Sequence, residues 1–214
     1  MSRLTKFTHA CVRLDDGDRS VAIDPGVFSE VDAALDGVQA VLITHEHPDH
    51  LDVDKVTAAL DADSRLRLYA PAAVATALGE RGGQVVAVDP GTSFDAAGFA
   101  VRAFGGQHAL IHPAIPVIAN LGYLVDDAVY HPGDSFTVPD APVRTLLAPT
   151  NAPWSKAAEV IDFVVSVRAP QVFQVHDSLV TDIYANMVEG HLQRIAGPHG
   201  VTFTHLTPAQ TVTI

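Results

Sequence analysis

Three histidines and an aspartate lie close together between residues 44 and 50, which read Thr-His-Glu-His-Pro-Asp-His. Imidazole nitrogens and carboxylate oxygens are ligands that zinc, manganese and iron take from proteins. His45 and His47 alternate, so they can face one ion, and Asp49 and His50 can face a neighbouring ion once the chain has bent. The pattern therefore predicts half of a hydrolytic site that uses two metal ions.

The residues around this cluster predict that it occupies a loop. The apolar run at residues 40–43 is short and rich in branched side chains, as expected of a buried strand. Pro48 opposes a helix through the cluster, because proline lacks an amide proton and restricts the residue before it. The helical His-Glu-x-x-His motif is absent, since residue 49 is aspartate. The competing interpretation is a solvated histidine-rich loop without a metal.

Three further segments carry a candidate ligand directly after a strand-like run. Loops at strand ends project side chains from a rigid scaffold, and this is where we expect the remaining ligands. Two glycines allow close backbone approach in the first segment, and a Pro-Gly turn places a carboxylate at its tip in the second. The three candidates are His108, Asp134 and His176.

Together, these seven residues resemble the ligand set of the metallo-β-lactamase superfamily. Motifs at residues 7–10, 23–26 and 130–135 are also similar to the branch that contains the ascorbate-6-phosphate lactonase-like hydrolases. The resemblance covers nearly the whole chain. It implies an α/β fold, a four-layer αββα sandwich with the metals between the edges of two sheets.

The resemblance also implies a role for each ligand. One ion would take His45, His47 and His108, the other would take Asp49, His50 and His176, and Asp134 would bridge them. A hydroxide bridging the two ions would attack an ester, a lactone or a phosphate-bearing small metabolite. Asp49 is the candidate catalytic residue, because it lies beside the nucleophile and can accept or pass on a proton.

The ligand chemistry and the cysteine count limit the cofactor and the substrate. Two divalent ions are expected, zinc first, although an all-nitrogen and oxygen set also suits manganese or iron. Some antibiotic-destroying members of the superfamily carry a cysteine where this chain has Asp134. The single cysteine is Cys11, in the first strands, so a β-lactam substrate is not expected.

Four residues are candidates for supporting positions around the metals. Asp24 closes a strand before a Pro-Gly pair, where it could orient a ligand histidine or simply cap a turn. His9 and His131 could form the pocket wall or could be satisfied interior histidines. Trp154, placed in the first turn of a predicted helix, could line the pocket or pack in the core.

Composition predicts one domain spanning residues 1–214. The chain is 48% hydrophobic and 18% charged, which suits a single large core. It has no run of about 20 apolar residues, no signal-peptide core and one cysteine, so we expect a cytoplasmic protein that does not span a membrane. Oligomer formation stays open.

The formal net charge of −12 bears on possible partners. Nucleic-acid affinity comes chiefly from lysine and arginine, and only 13 are present, so no nucleic-acid partner is expected. We expect a small-molecule substrate. If it is anionic, the metals and local donors must attract it, because the overall field repels it.

Periodicity predicts the elements that position these residues. The four-layer sandwich is favoured over a doubly wound nucleotide-binding fold, because no Gly-x-Gly-x-x-Gly or phosphate loop is present. Strands are predicted at 4–9, 11–14, 20–23, 38–44 and 84–88, with further strands from 94 to 130. Helices are predicted at 53–60, 71–78, 153–167 and 182–195.

Three functional classes remain after these arguments. The first and favoured class is the metal-dependent hydrolase of a small metabolite. The second is a nuclease or phosphodiesterase of the same superfamily, which the acidic composition disfavours. The third is a non-catalytic metal-binding module, disfavoured because every ligand position is filled.

Overall fold

The computed structural model describes residues 2–79 and 81–214. Within these residues, the strands are β1 (Arg3–Lys6), β2 (Val12–Asp16), β3 (Arg19–Ile23), β4 (Ala40–Leu42), β5 (Arg67–Ala70), β6 (Val85–Ala87), β7 (Ser93–Ala96), β8 (Phe99–Gly105), β9 (Leu121–Val125), β10 (Val129–His131), β11 (Thr145–Pro149), β12 (Gln171–Val175), β13 (Thr202–Thr204) and β14 (Gln210–Thr213). The α-helices are α1 (Val31–Leu35), α2 (Val53–Ala62), α3 (Ala72–Leu78), α4 (Ala157–Val167) and α5 (Asp182–Ala196).

The strands form two mixed sheets of seven. The first has the order β14-β1-β2-β3-β4-β5-β6, and the second has the order β13-β12-β11-β10-β9-β8-β7. In the first sheet β3 to β6 are parallel, and in the second β10 to β13 are parallel. The remaining neighbours are antiparallel.

Three apolar clusters bind the layers together. One lies between the sheets and joins side chains such as Leu42 and Ile23 to Phe99 and Tyr123. A second joins α2 and α3 to the outer face of the first sheet, and a third joins α4 and α5 to the second sheet. The order is therefore helix, sheet, sheet, helix, and the predicted αββα sandwich is confirmed.

The direction of the strands explains why chemistry collects at one edge. Two antiparallel steps make β1 run parallel to β3 and β4, and the same holds for β8, β10 and β12. Within each sheet, the carboxyl ends of these strands therefore face the same edge. Every predicted ligand follows the carboxyl end of one of them.

Several predicted elements differ from the structure at their ends. The strand predicted at 4–9 stops at Lys6, because residues 7–10 leave the sheet. The helix predicted at 153–167 begins only at Ala157, where the Glu159 side chain accepts a hydrogen bond from the Lys156 amide. Trp154 therefore precedes the helix, and its predicted place in the first turn is wrong.

Cys11 gives a direct probe of this packing. Its side chain is fully buried against Phe7 and Ala34, and burial raises the pKa of the thiol to about 12, although a hydrogen bond with Ser29 opposes the shift. Because the thiolate is the reactive form, we expect a disulfide reagent to leave the folded protein unlabelled and to modify one thiol in denaturant. Rapid stoichiometric labelling in buffer would contradict this packing.

No helix in the described ranges combines the length and the apolar character needed to cross a bilayer.

Candidate metal centre

The loop after β4 is tied to both sheets. The amides of His50 and Leu51 both donate to the carbonyl of His47 at 3.0 Å, which bends the chain as Pro48 predicted. From the second sheet, the Leu121 amide donates to the Thr44 carbonyl at 2.9 Å, and the Tyr123 hydroxyl donates to the Ile43 carbonyl at 3.0 Å. The loop is therefore fixed to β9, which lies between β8 and β10, the strands that precede His108 and Asp134.

Two groups of potential ligand atoms lie side by side on this edge. In each group, one nitrogen or oxygen atom per residue lies within 4.8 Å of all the others. Asp134 belongs to the first group but also reaches the second, since its Oδ1 lies 3.0 Å from His50 Nε2 and its Oδ2 lies 3.2 Å from His176 Nε2. The first group is His45, His47, His108 and Asp134, and the second is His9, Asp49, His50 and His176.

Three histidines are oriented through their Nδ1 atoms. His108 Nδ1 donates to the Ala109 carbonyl and His176 Nδ1 donates to the Asn151 carbonyl, both at 2.6 Å. His50 Nδ1 donates to a carboxylate oxygen of Asp24 at 2.7 Å. Each contact fixes the tautomer and leaves Nε2 as the atom that faces the centre, the usual arrangement of a metal-ligating histidine.

Asp24 is fully buried and accepts three hydrogen bonds. Besides His50, it accepts the Thr44 amide at 2.7 Å and the Thr44 hydroxyl at 2.6 Å. The geometry matches the interpretation in which Asp24 orients a ligand histidine. Thr44, which the sequence analysis did not single out, links this carboxylate to His45, whose Nδ1 lies 3.0 Å from the same hydroxyl.

The turn that presents Asp134 depends on a second residue that sequence reasoning missed. The side chain of Asn120 is fully buried, donates to the Pro132 carbonyl at 2.9 Å and accepts the Asp134 amide at 2.9 Å. His131 donates to the Ala10 carbonyl at 2.9 Å and accepts the Gly133 amide at 3.1 Å. Both ring nitrogens of His131 are thus used, as in a satisfied interior histidine.

Trp154 contacts the site directly. Its indole Nε1–H donates to Asp134 Oδ2 at 2.8 Å, and its ring lies edge-on to those of His108 and Phe136. The side chain is only partly buried. Of the two interpretations, pocket wall and core, the geometry favours the wall.

His9 lies inside the second group of ligand atoms. Its Nε2 is 3.0 Å from Asp49 Oδ2, its Nδ1 is 2.8 Å from the Ser178 hydroxyl, and its ring centroid is 4.0 Å from that of His176. Sequence spacing gave no sign of the contact with Ser178, because 169 positions separate the two residues.

Three residues of this edge adopt left-handed backbone angles that residues other than glycine rarely take. The φ angles are +64° at His9, +52° at Asp24 and +59° at His176. Such conformations cost about 1 kcal/mol or more each, and they persist where surrounding contacts enforce them. A hydrogen bond from the His176 amide to the His9 carbonyl at 3.1 Å holds two of them together.

The donor set fits divalent metal ions. Among the described residues, His50 Nε2, His108 Nε2, His176 Nε2 and Asp134 Oδ1 are buried polar atoms without a well-formed hydrogen bond. Burial opposes the charge of Asp134, but His50, His108 and His176 outweigh it and hold the pKa of Asp134 well below its usual value. Burial lowers the pKa of His45, which favours the neutral ring that binds metal.

Four other histidines and Asp177 lie away from the centre. His112, His191, His199 and His205 are outside both groups, and His205 Nδ1 lies 2.6 Å from Glu189. Asp177 turns away from the centre and pairs with buried Lys6 at 3.1 Å.

The chain matches a known protein family over most of its length. Residues 3–176 match the family model described as the beta-lactamase superfamily domain. The chain belongs to the beta-lactamase superfamily. The match spans every candidate ligand.

Two curated proteins are similar to the chain over most of its length. A Mycobacterium tuberculosis protein named Rv0786c is 38% identical over 195 residues, covering 89% of this chain and 91% of its own length. A protein of Xanthobacter autotrophicus named UPF0173 metal-dependent hydrolase is 29% identical and covers 97% of this chain and 100% of its own length.

A solved structure shows the same fold. Igni18, described as a novel metallo hydrolase from Ignicoccus hospitalis, superposes with a TM-score of 0.76 at 17% identity, covering 99% of this chain and 98% of its own. None of these three names refers to ascorbate lactonases, so that branch stays a prediction.

Proposed function

We propose that this protein is a metal-dependent hydrolase of a small molecule. The main support is the set of buried, oriented Nε2 atoms that converge with Asp134 on one edge of the sandwich. Buried polar atoms without partners cost free energy, and bound cations would satisfy them. Relatives named metal-dependent hydrolases add independent support.

The proposed site holds two divalent ions, zinc first, with manganese or iron as alternatives. His45, His47 and His108 would hold one, Asp49, His50 and His176 would hold the other, and Asp134 lies within reach of both groups. Bound ions would supply a nucleophile at neutral pH, because coordination lowers the pKa of water to about 7, and they would polarise the bond to be cleaved.

The chain itself would orient ligands and move protons. Asp24 fixes the tautomer of His50, and Trp154 donates to Asp134 and limits how its carboxylate can turn. Asp49 is the proposed proton acceptor. Its Oδ2 faces His9, which in turn bonds Ser178, so a proton taken by Asp49 has a hydrogen-bonded route toward the exposed Ser178.

The alternative functions have less support. A nuclease needs a basic surface, and the net charge of −12 opposes one. A non-catalytic metal module is disfavoured because every ligand position that the resemblance implies is filled. We further propose that the chain forms one domain and that the protein is cytoplasmic. The single buried cysteine supports the cytoplasmic location.

Removing one ligand should abolish turnover. We expect His47→Ala to lower kcat/KM for a p-nitrophenyl ester or phosphodiester by about a hundredfold or more, because the loss of metal chemistry costs several kcal/mol. A chelator should lower the activity of the wild-type protein by a similar factor. Added zinc or manganese should restore the activity of the chelated wild-type protein.

The matched control is His199→Ala, an exposed histidine outside both ligand groups, which should keep full activity and metal content. Metal bound at two equivalents with no turnover across ester, lactone, phosphomonoester and phosphodiester panels would overturn the hydrolase proposal and favour the binding module. Cleavage of single-stranded DNA faster than any of these would favour the nuclease.

A further inference from the structure

We infer that the substrate is an uncharged carboxylic ester or lactone with an apolar acyl chain, which rests on the proposed hydrolase function. The inference comes from two features of the edge that carries the histidines. Large apolar side chains are exposed there, and no described hydrogen bond or ion pair joins a basic side chain to a candidate ligand.

Exposed apolar side chains collect around the candidate centre. Within residues 2–79 and 81–214, twelve large apolar side chains are exposed, and six lie in the three loops that follow β3, β8 and β12. We call these six the apolar rim. Its members are Val27, Phe28, Leu110, Ile115, Val117 and Leu179, each between 45% and 60% exposed.

Three members of the rim adjoin residues of the candidate centre. The Phe28 ring lies edge-on to His9, with centroids 5.3 Å apart. Leu110 follows Ala109, whose amide donates to the Asp134 carbonyl at 2.8 Å, and Leu179 follows Ser178, which bonds His9. Phe28, Leu110 and Leu179 come from loops of both sheets and each lies at or next to a residue that contacts the candidate centre, which places apolar surface beside it.

An anionic substrate would meet little positive charge from the chain. No described hydrogen bond or ion pair joins a lysine or arginine to the candidate ligands, although phosphate sites usually rely on such residues. Lys6 bonds to Asp177, the neighbour of His176 in the sequence. Its buried ammonium donates to the Phe7 carbonyl and to the Asp177 carboxylate. Glu46, in the metal loop itself, is exposed and negative.

Other basic side chains pair with carboxylates. Lys156 lies in the loop after β11, two residues after Trp154, and its ammonium pairs with Glu159 at 3.3 Å. Arg19 pairs with Asp16, Lys55 with Asp32 and Arg102 with Asp127, all away from the histidines. Arg3 begins β1 and Arg144 precedes β11, so both lie at the opposite ends of the strands. The charge distribution and the apolar surface therefore both favour a neutral, partly apolar substrate over a phosphorylated substrate.

The reaction is ordinary ester hydrolysis. The oxygen of water bonds to the acyl carbon, the bond from that carbon to the alcohol oxygen breaks, and the alcohol takes a proton. The products are an alcohol, a carboxylate and one further proton. The apolar rim would bind the acyl chain and add nothing to the chemistry.

The test is a series of p-nitrophenyl esters from acetate to octanoate, with bis-p-nitrophenyl phosphate and p-nitrophenyl phosphate for comparison, on the metal-loaded protein. We expect kcat/KM to rise by about fourfold for each methylene that becomes buried. In the double variant Phe28→Ser with Leu179→Ser, the rise should flatten. The matched control is Ile195→Ser, an exposed apolar residue near the far end of α5, which should keep the wild-type slope.

Binding gives a second measurement that does not depend on turnover. Trp154 is the only tryptophan and contacts Asp134, so its fluorescence should respond to octanamide and much less to acetamide or inorganic phosphate. The double serine variant should lose the octanamide response.

The outcomes separate the two proposals. Phosphate esters cleaved faster than octanoate, or a chain-length slope unchanged in the double variant, would overturn the acyl-chain inference and leave the hydrolase intact. Octanamide binding that needs Phe28 and Leu179, without any turnover, would keep the apolar site and overturn the hydrolase. A dimer that is lost in the double variant, with no chain-length effect, would show that the rim is a subunit interface and overturn the inference.

Discussion

Gly26→Ala is expected to destabilise the protein strongly and to remove the metal centre. A Cβ atom at residue 26 would lie 1.9 Å from the carbonyl oxygen of Asp49 and 2.5 Å from the amide nitrogen of His50. These are backbone atoms, so no side-chain rotation can relieve the overlap. The loops are also joined there, since Val27 donates to the Pro48 carbonyl and Asp52 donates to the Pro25 carbonyl.

The expected size of this effect follows from overpacking in a closely packed interior. We expect the free energy of unfolding to fall by about 3 kcal/mol or more, because the metal loop itself must move. Denaturant unfolding and metal analysis measure both effects. Gly190→Ala is the matched control: that glycine lies within α5 with nothing within 4 Å of the added methyl group, so stability should stay equal or rise.

Asp24→Asn is expected to weaken binding of the second metal ion by about 10-fold to 100-fold. Asp24 Oδ2 accepts hydrogen bonds from His50 Nδ1 and from the Thr44 hydroxyl. An amide group in its place would present a donor to the imidazole. His50 would then keep its proton on Nε2, the atom that faces the centre, and could not bind a metal through it.

The backbone does not explain such an effect, because asparagine tolerates the left-handed angle of residue 24 at least as well as aspartate. Metal content per chain should fall from two equivalents toward one. Titration calorimetry, with Trp154 fluorescence as a second signal, measures the weakened binding. Unchanged content would mean that Asp24 only caps its turn. Asp32→Asn is the control. This exposed carboxylate pairs with exposed Lys55 at 2.7 Å, so its loss should alter neither metal content nor stability appreciably.

The sequence could place the candidate ligands at one edge because each follows a strand, and strand direction then decides which edge it reaches. His45, His108, Asp134 and His176 could therefore be grouped without knowledge of the pairing between strands. The αββα layers followed from the family resemblance and from the alternation of strands with helices.

Other features depend on contacts between distant residues. Asn120 holds the Asp134 turn through a side chain that leaves no local pattern, and Ser178 meets His9 across 169 positions. The pairing of β14 with β1 joins opposite ends of the chain and has no periodic signal. Helix α4 begins later than periodicity indicated, because apolar spacing does not locate the capping contact at Lys156.

The division of ligands between the sheets has a consequence for how the protein matures. The first sheet supplies the candidate ligands His45, His47, Asp49 and His50, and the second supplies His108, Asp134 and His176. Neither half of a nascent polypeptide would present a complete coordination sphere during synthesis. Ion selection would then wait until both halves have closed, and the free metal pool of the compartment where folding finishes would decide which element is loaded.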